Sequence, residues 1–264
     1  MAEGAEPFHF HKPGPPLSEV VDFFWTYDGY APPHHVERLL PTGTSELVFS
    51  VDADGRAASG VSGARSEALM LDTSTPFSVI AVHFRPGGSF PFFGVPSTEL
   101  CNQGVSLDLL WGRDAASFRD RLWEEKTAQR RFTVLEEALL RRAQGRFDRH
   151  EAVRYALDVF NRSNGMRPVG DVIQGIGVSL RRFGELFGSE VGLSPKVFCR
   201  VRRFNEVLRR IERLTDVDWA DVAAACGYFD QAHFNHDFRA FAGLTPSAYL
   251  RDRMSRTHVV VSSA

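Results

Sequence analysis

The stretches VIQGIGVSLRRFGELFGSEVGLSPKVF, residues 172–198, and VAAACGYFDQAHFNHDFRAFAGLTPSAY, residues 222–249, decide the fold of this chain, because they are one unit written twice. Val172 aligns with Val222 and Gly177 with Gly227 at an offset of 50. Past the glycine the offset becomes 51: Phe183 meets Phe234, Phe187 meets Phe238, Gly192 meets Gly243, Pro195 meets Pro246 and Phe198 meets Tyr249. One residue inserted in the turn accounts for the step. A register kept over about 28 residues marks a supersecondary element used twice.

The unit can be read from its spacing. Before each glycine, apolar residues recur three to four apart: Val169, Val172, Ile173 and Ile176, then Trp219, Val222, Ala223 and Cys226. That is one face of a short helix, and Asp218 stands where an N-cap is expected. Glycine reaches positive φ without steric cost and suits a tight turn. A second helix follows, apolar through Phe183, Leu186 and Phe187 or through Phe234, Phe238 and Phe241. Gly192 or Gly243 ends it, and the proline beyond forbids continuation. Helix, glycine turn and helix with an apolar inner face form a helix-turn-helix. Between the copies, KVFCRVRRFNEVLRRI (196–211) carries Val197, Val201, Phe204, Leu208 and Ile211 as one stripe, with Arg200, Arg202, Arg203, Arg209 and Arg210 on the other faces. At 1.5 Å per residue this is a rod of roughly 24 Å. Major-groove faces recur about every 34 Å, so reading helices offset from the ends of such a rod reach adjacent grooves.

Over about residues 148–251 the chain resembles the DNA-binding domain of the AraC/XylS family of bacterial transcription regulators, with Gly227, Phe234, Phe238, Gly243, Thr245-Pro246 and Tyr249 on the family signature. The resemblance implies an all-α, seven-helix double helix-turn-helix domain whose two reading helices enter successive major grooves. EAVRYALDVF (151–160) would open it as a scaffold helix. GYFDQAHF (227–234) is then the turn and front of the second reading helix. Tyr228 and Phe234 pack inward, Asp230 caps the helix, and Gln231, Ala232, His233 and His236 face base edges. Glutamine pairs with adenine N6/N7 and an alanine methyl meets the thymine methyl. His233 and His236 have helical spacing, but no third ligand lies nearby, so a metal is not expected. In the first reading helix, Leu180, Arg181, Arg182, Gly184 and Glu185 face outward. Arg181 is the candidate for guanine, while Arg182, Lys196 and Arg200 are the candidates for phosphates. Glu185 repels phosphates but can accept from cytosine N4.

The N-terminal part is β-rich. VVDFFWTYDGY (20–30), SELVFSV (45–51) and SVIAVHFRPGGSF (78–90) are β-branched and aromatic runs between Gly/Pro turns. Ile80, Val82 and Phe84 share one face of the third run, and Val79, Ala81 and His83 the other. RPGG (85–88) reads as a hairpin turn. Helix spacing begins near residue 106, with Phe118 and Leu122, then Phe132, Leu135 and Leu139. The expected fold is α+β: a β-barrel or sandwich sensor over 1–105, a helical arm over 106–147 and the DNA-binding domain over 148–255. The first two resemble the cupin-like sensor and arm of such regulators. LLPTGTSELVF and VHFRPGGSFPFFGVPSTEL resemble an uncharacterised N-terminal domain class found among them.

The histidines His9, His11, His34, His35 and His83 raise the alternative of a metal-dependent cupin-like enzyme fused to a DNA-binding domain. HFH lies in a Pro-rich N-terminal arm and HHVE stands before the clearest strands, so solvated or core-bonded histidines are expected, with no metal and no cofactor. No GxSxG occurs, and Cys101, Cys199 and Cys226 lack a histidine-paired context, so no catalytic residue is assigned. Three distant cysteines indicate no disulfide framework. No signal peptide or long apolar run is evident, which reads as a cytoplasmic, nucleoid-associated protein. Residues 148–264 hold 17 Lys and Arg against 14 Asp and Glu, and residues 1–147 hold 14 against 19. The C-terminal part is thus the basic one, as a nucleic-acid-binding module requires. Double-stranded DNA is the expected partner. A small-molecule effector and a homodimer stay open, and no membrane partner is expected.

Overall fold

The structure is a computed structural model that describes residues 8–30 and 35–255. Six antiparallel strands form the main sheet in the order β1 (Phe8–His11), β2 (Val21–Tyr30), β7 (Phe77–Phe84), β4 (Glu46–Asp52), β5 (Ala57–Ser62) and β8 (Gly104–Ser106). β3 (Val36–Leu39) and β6 (Leu69–Asp72) make a separate two-stranded ribbon. The N-terminal region is therefore β-rich as expected, but the sheet is not closed into a barrel. The short strands β1 and β8 leave two edges, and helices instead of a second full sheet cover one face. Ile80, Val82 and Phe84 of β7 enter that helix-covered core with Phe24, Leu47 and Phe49. Val79, Ala81 and His83 are buried on the opposite face, where Phe23 stacks on the His83 imidazole at 4.7 Å.

Two segments differ from the sequence reading. HFH, expected in an arm, is part of edge strand β1, paired from Phe8↔Tyr27 to His11↔Phe24. Phe8 and Phe10 fall on the face of Trp25 and Tyr27, so cross-strand aromatic pairs hold the edge. RPGG is not a hairpin. β7 stops at Phe84, the Gly88 N–H donates to the Arg85 carbonyl at 2.7 Å, and the chain enters helix α1 (Phe90–Phe93). Pro86 lacks the N–H that a returning strand would use.

Helices α2 (Leu107–Trp111), α3 (Arg113–Glu124) and α4 (Ala128–Ala143) follow. Ala115, Leu122, Phe132, Leu135, Leu139 and Ala143 join the sheet's core, so these helices lie against the sheet. His11 Nε2 and Glu136 Oε1, 3.0 Å apart, tie α4 to β1.

The C-terminal part holds α5 (Glu151–Arg162), α6 (Val169–Gln174), α7 (Leu180–Val191), α8 (Pro195–Ile211), α9 (Trp219–Ala225), α10 (Gln231–Ala242) and α11 (Pro246–Ser255). Its core is aromatic: Phe160, Phe183, Phe187, Phe198, Phe204, Phe234, Phe238 and Tyr249 are buried together. The repeat is realised twice in the backbone. Gly177 and Gly227 take φ of 73° and 72° in the two turns, and Gly192 and Gly243 end α7 and α10 in the left-handed region. Ser179, Asp218 and Asp230 cap α7, α9 and α10 through side-chain oxygens, each satisfying N–H groups that the first turn leaves unpaired. Ala64 of the N-terminal part is buried in this same core, with Leu40 and Cys101 packed against it.

Candidate nucleic-acid interface

The second helices of the two units, α7 and α10, each present an exposed row to the outside, and the rows differ in length. On α10, Phe234, Asp237, Phe238 and Phe241 are buried, while Gln231, Ala232, Asn235, His236 and Arg239 are exposed. Asp230 Oδ1 accepts from the His233 N–H at 2.7 Å and fixes the helix front. His233 is half-buried. Its ring lies 5.3 Å from that of Tyr228, and Nε2 is 3.7 Å from Asp237 Oδ2, so it leans on the domain beside the exposed row. Asn235 and Arg239 were not among the residues singled out from sequence. Their signal was available, since they stand four and eight residues beyond Gln231 on one helical face.

On α7, Leu180, Arg181, Arg182 and Glu185 are exposed. Glu185 is the hub of a surface network: Arg181 Nε donates to Oε1 at 3.1 Å, and Arg182 Nη1 is 3.6 Å from Oε2. At the 51-residue offset, Gly184 stands for Asn235 and Gly188 for Arg239. Gly188 is buried, and a Cβ there would lie 3.1 Å from Thr98 Cγ2. Where the second helix shows an arginine, the first is covered by the N-terminal part.

The arginines of α8 are mostly struts. Arg200 Nε bonds both Asp237 oxygens and Nη2 bonds Oδ1 at 2.7 Å, with the guanidinium over Phe241. The bond to Asp237 raises the Arg200 pKa. Arg200, a phosphate candidate by sequence, is half-buried and joins α8 to α10 through this pair. Arg209 and Arg210 both bond Glu206, and Arg203 lies over Tyr228. Lys196 is exposed at the start of α8.

In the N-terminal part, a cavity of about 60 Å³ is lined by Leu39, Thr42, Thr44, Glu46, Arg65 and His83, among others. His83 is committed within the protein, with Nδ1 2.9 Å from Glu46 Oε1 and Nε2 3.2 Å from Thr44 Oγ1. His34 lies outside the described residues. Among the described residues no three His, Cys, Asp or Glu side chains gather as metal ligands. Burial pushes the Cys199 and Cys226 thiols up to about 12 and about 11, which keeps them protonated and poorly nucleophilic. No helix among the described residues is long and apolar enough to cross a membrane.

Residues 173–252 match the family described as "Helix-turn-helix domain", and residues 9–106 match "Domain of unknown function (DUF6597)". The chain is 32% identical over 79 residues to the HTH-type transcriptional regulator ExsA of Pseudomonas aeruginosa, a match covering 30% of this chain and 28% of that relative's length. Among solved structures, ToxT of Vibrio cholerae aligns at TM-score 0.42 and 12% identity, over 93% of this chain and 98% of that one. A fatty-acid-bound form of ToxT aligns at TM-score 0.41 and 10% identity, over 99% and 100%. With its repeated unit, its glycine turns and the 173–252 match, the C-terminal part of this chain is similar to a known helix-turn-helix domain, and its match spans little more than a quarter of the length of the regulator ExsA.

Proposed function

We propose that the chain is a sequence-specific DNA-binding regulator of transcription, working in the cytoplasm on the nucleoid, with binding and not bond chemistry as its activity. The observation that supports this reading best is the pair of equivalent helices, α7 and α10, each with an exposed polar row and an apolar inner face on one polypeptide. Gln231, Ala232, Asn235 and His236 read bases from α10, and Arg181 and Glu185 from α7, as their hydrogen-bonding edges and methyl group allow. Arg182, Lys196 and Arg239 meet phosphates, and His233 supports the front of α10 from the side. Arg200 acts indirectly by holding α10 through Asp237. The organisation we assign is a sensor over 1–105, helices over 106–147 and the reading domain over 148–255. The cavity beneath residues 39–44 is the site offered to a small effector; at about 60 Å³ it must widen to admit one, since small-molecule pockets run to about 300 Å³ or more.

Footprinting the full chain on DNA selected from a random duplex library tests this. Protection of two adjacent major-groove faces at saturation is expected, because two readers sit on one chain. Arg182→Ala and Lys196→Ala each lower the salt slope by about one. Protection of a single groove face, or unchanged slopes in both variants, defeats the two-reader assignment.

A further inference from the structure

The N-terminal part touches the equivalent helices α7 and α10 in the last turn of each, at carbonyls one position apart in the repeat. Ser97 Oγ donates to the Glu190 carbonyl, in the last turn of α7, at 2.9 Å. Arg38 Nη1 donates to the Ala242 carbonyl, in the last turn of α10, at 2.8 Å. Gly192, two residues past Glu190, and Gly243, one past Ala242, are the equivalent glycines that end the helices, and both mark close approach. A Cβ on Gly192 would lie 3.0 Å from the Ser97 carbonyl oxygen, and one on Gly243 would lie 3.1 Å from Arg38 Nη1. The last carbonyls of a helix have no partner within it and carry the negative end of its dipole. A guanidinium and a hydroxyl supplied from outside satisfy one in each helix.

These two contacts come from different elements. Ser97 is in the short 3-10 turn Ser97–Leu100, which lies along α7 over Gly188. Arg38 is on β3, which runs into the strap at 39–43. The strap also reaches α8: Asn205 Nδ2 donates to the Pro41 carbonyl at 3.2 Å, and Gly43 lies against the Phe198 ring. Two elements of the N-terminal part thus touch both helix-turn-helix units, in addition to the α8 rod that joins them. The same strap walls the small cavity on the sheet.

We propose that Arg38 and Ser97 are positioning residues that set the separation and relative rotation of the two reading helices, and so the half-site spacing the protein accepts. The inference rests on the two-reader assignment above. One added base pair between half-sites shifts the second by about 3.4 Å and about a tenth of a turn. A pair of helices held at both ends rejects that shift, whereas a pair joined by α8 alone tolerates it. The strap gives an occupant of the cavity a route to the Arg38 contact.

The test takes the site selected by the full-length protein and rebuilds it with one or two base pairs inserted or deleted between its halves. Wild type is expected to show a narrow optimum. Arg38→Ala removes a charge-assisted bond and should lower discrimination against misspaced sites about tenfold, while Ser97→Ala lowers it about fivefold. Affinity for the optimal spacing should change less in both. Arg38→Lys, which keeps a cationic donor, should recover part of the selectivity; a merely stabilising contact would not move the spacing profile at all. The variants lie on separate elements, so one that failed to fold leaves the other to decide. A narrow wild-type optimum left unchanged by the folded variants overturns the positioning role alone. A wild-type protein that selects only a single undivided half-site overturns the two-reader assignment, and this inference with it.

Discussion

Glu185 shows how a single side chain divides two readings of one helix. A carboxylate facing DNA repels every phosphate, yet here it is held by Arg181 and Arg182 on the α7 surface. Exposed pairs of this kind contribute only about 0.2–1 kcal/mol, so DNA can take the arginines from Glu185 at small cost. Glu185→Ala should leave the unfolding midpoint nearly unchanged and raise affinity for random-sequence duplex several-fold, since two arginines lose their competitor and one repulsive charge disappears. Titrations against random duplex and against single-base changes of the selected site separate the roles. Unchanged values in both would leave Glu185 a surface ornament of the arginines. A flattened preference at one base pair would mark it as a reader of cytosine.

At the scale of elements, the two turns are alike in backbone and unlike in surroundings. Gly177 and Gly227 share the same positive φ, which costs about 1–2 kcal/mol for a residue bearing a Cβ. Nothing lies within 4 Å of a Cβ built on Gly177, whereas one on Gly227 meets Met166 Cγ at 2.9 Å. Met166 is a flexible, partly exposed side chain, so it yields at modest cost. Gly177→Ala should therefore lower stability by about 1–2 kcal/mol and Gly227→Ala by slightly more, with Met166→Ala erasing the difference. Urea unfolding of the three variants and the Gly227→Ala/Met166→Ala double variant measures it. Equal losses in the two turn variants would mean that the Met166 contact has no energetic weight. The turns, caps and apolar stripes were legible because each is a local matter: a cap bonds a backbone N–H two or three residues away, and a helical face repeats within one turn. The open sheet was less legible, since closure depends on which strands meet across dozens of residues. The edge strand at Phe8–His11 was hidden because four residues carry too short an alternation to distinguish a strand from an arm.

At the scale of the whole molecule, a buried carboxylate sits where the N-terminal and C-terminal parts meet. Glu190 Oε1 accepts from the His150 N–H at 3.0 Å, while Oε2 has no hydrogen-bond partner among the described residues. Burial raises its pKa, against the His150 N–H and the nearby Arg149 guanidinium. A carboxyl with a raised folded value favours the fold fully below its unfolded value of about 4.5, and that contribution is lost as pH rises through the folded value. Wild type should thus lose stability from this group as the carboxylate range is crossed upward. Glu190→Gln, which keeps an acceptor without the charge, should be more stable than wild type at neutral pH and show less of that decline. Thermal melts of both proteins from acid to neutral pH check the sign; a Gln variant less stable at neutrality would show that pairing with Arg149 outweighs burial.

By itself the sequence determined the repeated unit, its glycine turns, its caps, the inward aromatic residues and the basic character of the reading half, because short-range backbone chemistry and periodic burial are written in neighbouring residues. It also placed Gln231, Ala232 and His236 on an exposed row. Only the tertiary structure decided that Arg200 is bonded to Asp237, that Gly188 lies beneath Thr98, and that Ser97 and Arg38 reach the same turn of two different helices. Those partners are 37, 90, 93 and 204 residues apart. No local spacing encodes such pairings; they exist because two cores pack against each other and bring unpaired helix-end carbonyls within reach of donors from elsewhere in the chain.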